Sequence, residues 1–193
     1  MKLDPKYYDL QINGSAWTTK FPFYQGLLSQ GMDWLIENLD PEFNDILDLG
    51  CGDGWGTEYL ISKLPYGDVV GGDIDKNKLK VAKDRGIPVK EIDMHDVKGK
   101  WDAIFCSHSL EHSYDISKAL NSILDALNTN GKLYLIVPIE PEDPRALNPS
   151  HTQWINSESV INKIITARKD VQIEFFESKV RDGREYWLIV KKL

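Results

Sequence analysis

The sequence predicts an α/β fold: a mostly parallel sheet with helices on both faces and one antiparallel end strand. Three observations predict it. Short, uniformly apolar runs alternate with segments of helical period, as expected of strands buried on both faces. The first run, "DILDL", leads directly into four glycines at alternate positions, Gly50, Gly52, Gly54 and Gly56. The last two runs, "VQIEFFES" and "REYWLIVKK", are joined by "KVRDG" with no helix between them, so the sheet turns antiparallel there.

The elements follow in order. Residues 22–39 place Leu27, Leu28, Met32, Leu35 and Leu39 at helical spacing. "DILDLG" reads as a buried strand, and "GTEYLISKL" as a helix with Tyr59, Leu60 and Leu64 inward. "GDVVGGDID" is the second strand, "KNKLKVAKDRG" a helix closed by Gly86, and "IPVKEID" the third strand. "WDAIFCSHSL" is the fourth. Asp115 is placed to cap a helix whose Ile116, Leu120, Ile123, Leu124 and Leu127 form one stripe. "NGKLYLIVP" gives the fifth strand. Residues 138–152, with four prolines and three acids, read as a long loop, and Ser157 as the cap of a helix to about Ala167.

The 193 residues suit one domain with a core of useful size, taken as an N-terminal helical lid region (1–43) and a sheet core (44–193). Hydrophobic and charged fractions of 41% and 27% are those of a globular protein. No apolar run reaches the length of a membrane span, and the N-terminus lacks the apolar core of a signal peptide. Cys51 and Cys106 each follow an apolar run and are expected to be buried free thiols in a reducing, cytoplasmic setting. A net charge of -7 argues against a surface that tracks phosphates, so nucleic acid is not the expected partner.

In such sheets a ligand sits at the carboxyl ends of the strands, where the glycine loop lies. A P-loop needs Lys-Ser/Thr after its last glycine, whereas Gly56 is followed by Thr57 and Glu58. A dinucleotide loop needs a third small residue, and the three registers offer Trp55, Thr57 or Tyr59 instead. Four acids stand at or near strand ends: Asp48, Asp53, Asp73 and Asp93. They repel a pyrophosphate but suit a ligand with an amino group and a sulfonium. Asp73 is spaced to accept from two ribose hydroxyls, whereas Asp53 reads as an acid that only solvates its loop. S-adenosylmethionine fits this charge pattern.

"ILDLGCGDGWGTEYL" resembles the first motif of the class I S-adenosylmethionine-dependent methyltransferases, in particular the small single-domain members. "VVGGDIDKNKLKVAK", "EIDMHDV", "KWDAIFCSHSLEH" and "ALNTNGKLYLIVP" resemble their later motifs, with Asn130-Gly131 where Gly-Gly is commoner. The resemblance covers residues 44–193 and implies a Rossmann-like seven-stranded sheet of order 3-2-1-4-5-7-6. It further implies that Asp48 and the Gly50 carbonyl hold the methionine amino group, and that Cys51, Gly52 and Gly54 shape the wall. Asp73 is assigned the ribose. Ile74 lies near the adenine, Asp93 takes its amino group, and Met94 flanks the ring. Ser107 and His108 lie near the methionyl end.

"HSLEH" also matches H-x-x-E-H, the inverted zinc-protease motif. That chemistry needs both histidines on one helical face, and here the first directly follows a strand. His108, Glu111, His112 and His151 also offer ligands that suit a divalent metal. They resemble the Glu/His cluster of RNA 3'-terminal methyltransferases, although histidine stands where glutamate is first there. No metal is assigned. His112 and His151 are the catalytic candidates: a histidine in the loop after strand five can take a proton from a hydroxyl or ammonium. His95 reads as an exposed loop residue.

The expected activity is methyl transfer from S-adenosylmethionine to an oxygen or nitrogen of a small molecule, a sugar or other metabolite. The aromatic segment "KYYDLQINGSAWTTKFPFY" is the expected lid, and "PIEPEDPRALNPSHTQW" the opposite wall. Alternatives are a cofactor-binding module without turnover, a metal-assisted RNA 2'-O-methyltransferase, and a nicotinamide oxidoreductase, which Trp55, Thr57 and the acids disfavour.

Overall fold

A computed structural model describes residues 22–141, 143, 151–180 and 184–193. Most of the proposed lid segment, and residues 142 and 144–150 of the opposite wall, lie outside the described residues. The elements are helix α1 (Pro22–Asn38), strand β1 (Asp45–Leu49), α2 (Trp55–Lys63), β2 (Asp68–Asp73), α3 (Lys76–Asp84), β3 (Val89–Glu91), β4 (Trp101–Ser107), α4 (Ile116–Asp125), β5 (Leu127–Pro138), α5 (Glu158–Thr166), β6 (Val171–Val180) and β7 (Arg184–Lys192). They build a seven-stranded sheet of order β3-β2-β1-β4-β5-β7-β6. The pairs from β3 to β5 are parallel, and β7 runs antiparallel to both β5 and β6. The expected order is thus observed.

Period-two alternation sends side chains to two cores. Ile46, Ala103, Phe105, Tyr134, Ile136 and Trp187 pack on one face under Met32, Trp34 and Leu35 of α1. Leu47, Ile104, Cys106, Leu133 and Leu135 pack on the other, under Leu120, Ile123 and Leu124 of α4 and Ile161 and Ile165 of α5. Burial of each such aliphatic side chain contributes roughly 1.5–3 kcal/mol before entropy is counted. Both cysteines are buried and free, as expected.

The helix caps follow the sequence with one exception. Asp75 accepts from the backbone N–H groups of Asn77 and Lys78, and Asp115 from that of Lys118. Gly86 takes the left-handed conformation expected after a helix. Ser157 occupies the cap position but its hydroxyl pairs with Ser159 and makes no cap bond. Leu127 begins β5 instead of completing the α4 stripe, and Trp101–Leu127 pairing is followed by a register shift at Asp102. There Asn128 donates to Asp102, whose other carboxylate oxygen receives the backbone N–H groups of Asn44 and Asp45.

Candidate active site

The glycine loop hangs on the end of β2. Backbone N–H groups of Gly50 and Cys51 donate to the Gly72 carbonyl at 2.7 and 3.1 Å. The Gly52 N–H donates to Asp73 Oδ2 at 2.8 Å, and Asp73 Oδ1 receives the Asp75 N–H at 2.8 Å. Asp73 therefore braces both the loop and the start of α3, a role beyond the ribose contact expected of it. Gly50 has φ +83°, where a side chain is strained, and a Cβ there would lie 2.4 Å from Ser109 Cβ. This close approach packs the loop after β1 against the loop after β4.

Asp48 lies beneath the loop, buried, and accepts from the Thr57 hydroxyl at 2.7 Å. Burial pushes its carboxyl up to about 6, against the lowering effect of the Thr57 bond and with Asp73 adding to the rise. Asp73 is raised too, chiefly by burial, while its backbone hydrogen bonds and Lys78 work the other way. The Cys51 thiol between them is pushed well up by burial and by both acids. A buried carboxylate with a half-buried one raising it further favours a cation brought near them.

The rise at Asp48, from 3.8 to about 6, corresponds to about 3 kcal/mol lost when it ionises in the folded protein. The folded state holds this proton more tightly than the unfolded state. Stability from this group is therefore full below about pH 4 and falls as pH rises through about 6. Thermal unfolding of the cofactor-free protein should show Asp48→Asn several degrees more stable at pH 7, with the gain fading towards pH 4. An Asp48→Asn protein less stable than the parent at pH 7 would contradict the assignment.

The remaining predicted contacts are dispersed around the strand ends. Asp93 ends β3's loop and caps a 3-10 turn, Met94–Asp96, by accepting the His95 N–H. Burial works to raise its carboxyl, but the side-chain and backbone hydrogen bonds of His95 hold it below the usual range. Ile74 directly follows β2 and Met94 is half-buried. The Ser107 hydroxyl, at the end of β4, is buried and has no hydrogen-bond partner among the described residues. Gly54 takes the left-handed conformation before α2, and Gly52 does likewise.

Two expectations are corrected. His95 is not an exposed loop residue. It is buried, stacks on Tyr114 with centroids 3.6 Å apart, and shares Nδ1 with Asp93 at 2.6 Å. Asp53 is likewise buried instead of solvating the loop, and its carbonyl accepts from Arg85. Nothing next to them in the sequence marks the Tyr114 ring that stacks on His95 or the Arg85 that bonds Asp53.

The other three histidines converge on one carboxylate. Glu111 is buried in the 3-10 turn Leu110–His112, and its Oε1 lies 3.9 Å from His108 Nδ1, His112 Nε2 and His151 Nε2. The Glu111 carbonyl accepts the backbone N–H groups of Thr152 and Gln153, which fastens the segment after His151 to this turn. His151 Nδ1 is hydrogen-bonded to the buried Glu140, and His108 Nε2 to the buried Glu185 at 3.0 Å. His108 sits at φ +50°, a conformation a non-glycine residue adopts only when its surroundings hold it. It points at Glu111 and Glu185. Glu140 and Glu185 were missed by sequence reasoning, because nothing local marks an acid that pairs across the fold.

Residues 23–168 match the methyltransferase domain family. The chain belongs to that family. It is of the class I, S-adenosylmethionine-dependent type. It is similar to a trans-aconitate 2-methyltransferase of Variovorax paradoxus, 30% identical over 111 residues, covering 54% of this chain and 42% of that one. A malonyl-[acyl-carrier protein] O-methyltransferase of Acetivibrio thermocellus is 23% identical over 133 residues, covering 64% of this chain and 47% of the relative. The chain spans less than half the length of these curated relatives. Among solved structures, the N-methyltransferase NodS of Bradyrhizobium japonicum, in complex with S-adenosylhomocysteine, superposes with a TM-score of 0.72 at 17% identity, covering 98% of this chain and 99% of that one. Magnesium protoporphyrin IX methyltransferase of Synechocystis, with the same ligand bound, gives 0.70 at 17% identity, covering 97% and 93%. Those structural likenesses bear on the fold. Among the described residues no helix is long and apolar enough to cross a membrane.

Proposed function

We propose that this methyltransferase domain transfers a methyl group from S-adenosylmethionine to an oxygen or nitrogen atom of a small molecule. The observation that carries the reading is the placing of buried Asp48 and half-buried Asp73 on neighbouring strands, beside a glycine loop in left-handed backbone. Such a site favours a ligand that brings positive charge and no phosphate. Asp48 and the Gly50 carbonyl would receive its amino group, Asp73 its ribose, and Asp93 its adenine amino group. Ile74 and Met94 would flank the ring, Cys51, Gly52 and Gly54 would form the wall, and Ser107 and His108 would lie at the methionyl end. When bound, the cofactor supplies a methyl group already activated on a sulfonium.

His112 and His151 are proposed to act on the acceptor. The rings stand edge to face with centroids 5.0 Å apart, His112 in the loop after β4 and His151 in the segment after β5. The named relatives methylate a small acid, a carrier-bound acyl group and a nitrogen, which supports a small acceptor group without choosing the atom. The domain organisation proposed for residues 1–193 is a single domain, with an N-terminal region (1–43) followed by a sheet core (44–193).

Purified protein should be incubated with methyl-labelled cofactor and separate pools of carboxylic acids, amines, sugars and RNA. The account expects label in a small-molecule pool, lost by about 100-fold or more in His151→Ala while S-adenosylhomocysteine binding changes little. Label confined to RNA or to protein would overturn the small-molecule reading.

A further inference from the structure

The reading of His112 and His151 leaves Glu111 without work, and Glu111 is the least ordinary residue of the cluster. Its carboxylate is 1% exposed, and Oε2 has no hydrogen-bond partner among the described residues. A buried carboxylate oxygen with no donor is costly unless something cationic meets it. Oε1 faces three imidazole nitrogens, each at 3.9 Å. That is too far for a hydrogen bond and too near for empty solvent.

We infer that Glu111, His112 and His151 form a binding site for a divalent transition-metal ion. One ligand atom from each residue lies within 4.8 Å of the others. Zinc-like ions bind carboxylate oxygen and imidazole nitrogen at about 2.0–2.2 Å, which puts ligands of a tetrahedral site about 3.3–3.6 Å apart. The 3.9 Å separations at Glu111 need a closure of only about half an ångström, within the reach of side-chain rotation. Two histidines and one carboxylate leave positions open for an exogenous ligand, as catalytic sites require and structural ones do not.

The outer residues fit the same reading. Metal-bound imidazoles usually carry a carboxylate on the second ring nitrogen, which fixes the tautomer and aims the first. His151 has this partner: Glu140 holds Nδ1, so Nε2 is the atom turned to Glu111. Glu140 is itself fixed, since its backbone N–H donates to the Ile155 carbonyl at 2.8 Å. His108 also turns a ring nitrogen to Glu111 at 3.9 Å, with its other nitrogen on Glu185, but it falls outside the group whose ligand atoms lie within 4.8 Å of one another and so stands beside the three ligands.

The inference deepens the proposed function and rests on it only for what the ion does. At the acceptor side, an ion with open positions would hold an acceptor oxygen and make a hydroxyl there more acidic. His112 and His151 then act through the ion.

The test separates the two readings. Protein stripped with a chelator and dialysed should be titrated with Co²⁺ by visible absorption and with Zn²⁺ by calorimetry, and with S-adenosylhomocysteine in parallel. One ion per chain is expected, with the ligand-field bands of a nitrogen-oxygen site. Affinity should fall at least about 100-fold in Glu111→Gln and His151→Ala, and about 10–100-fold in Glu140→Gln. S-adenosylhomocysteine binding by the variants serves as the check that they are folded. Ion binding absent from the parent, or unchanged in Glu111→Gln and His151→Ala, overturns the metal site. The cofactor assignment stands or falls on the parallel titration.

Discussion

Asp73→Ala should abolish measurable binding of S-adenosylhomocysteine. The half-buried carboxylate stands at the end of β2, at the strand ends where a ligand is expected to meet such a sheet. Each hydrogen bond from a hydroxyl to a charged acceptor contributes about 1.5–3 kcal/mol, so losing two weakens binding by about 100-fold or more. A second effect adds to this loss. Asp73 also receives the N–H groups of Gly52 and Asp75, so alanine releases the glycine loop and the start of α3. Asp73→Asn separates the two contributions, since its amide oxygen retains one of these acceptors. Calorimetric titration should find Asp73→Asn weaker than the parent and Asp73→Ala weaker still. Binding by Asp73→Ala within about threefold of the parent would be incompatible with this role.

Gly50→Ala should be the most damaging small substitution in the loop. The residue is at φ +83°, and the new methyl would lie 2.2 Å from Ser109 Oγ and 2.4 Å from Ser109 Cβ. Left-handed strain and overpacking together cost about 2–5 kcal/mol. Ser109 cannot simply turn away, because its hydroxyl donates to the Ser107 carbonyl and lies 3.2 Å from that of Leu49. Gly52→Ala is the control. It is also left-handed, at φ +55°, but the nearest atom to its added methyl is Lys78 Cδ at 3.9 Å. Strain alone applies there, about 1–2 kcal/mol. Thermal unfolding should place Gly50→Ala well below Gly52→Ala, and equal losses would mean that the contact between the loops is not what sets the cost.

The fold was legible because each part of it is local. Residues such as Ile46 and Leu47 alternate between two buried faces, and an apolar run with that property belongs to a covered sheet. The cap at Asp115 and the turn at Gly86 are one-residue signals with one-residue reasons. Strand order is not local, and it followed from the resemblance of the glycine loop and later motifs to a known family. The positions of Asp48, Asp73 and Asp93 were legible for a local reason: they sit at or beside the ends of strands, where the sequence announces them.

The histidine cluster was only half legible. "HSLEH" placed His108, Glu111 and His112 within one short segment, but Glu185 lies 77 residues from the His108 it binds. His151 reaches Glu111 only because Thr152 and Gln153 donate to the Glu111 carbonyl, and backbone bonds between loops leave no mark in a sequence. His95 shows the reverse failure. It lies in a short connection between the acids Asp93 and Asp96 and read as surface, yet Tyr114 covers the ring and Asp93 binds it. Burial of a polar side chain depends on what stacks over it.

The central claim is that the acid-lined glycine loop holds S-adenosylmethionine, and one titration tests it most directly. The purified protein should be unfolded and refolded to remove any ligand carried through purification, checked for its folded transition, and titrated calorimetrically with S-adenosylhomocysteine and then NAD. The account predicts one S-adenosylhomocysteine per chain and no heat of binding with NAD. A folded protein that ignores S-adenosylhomocysteine, or that takes NAD in its place, would contradict it.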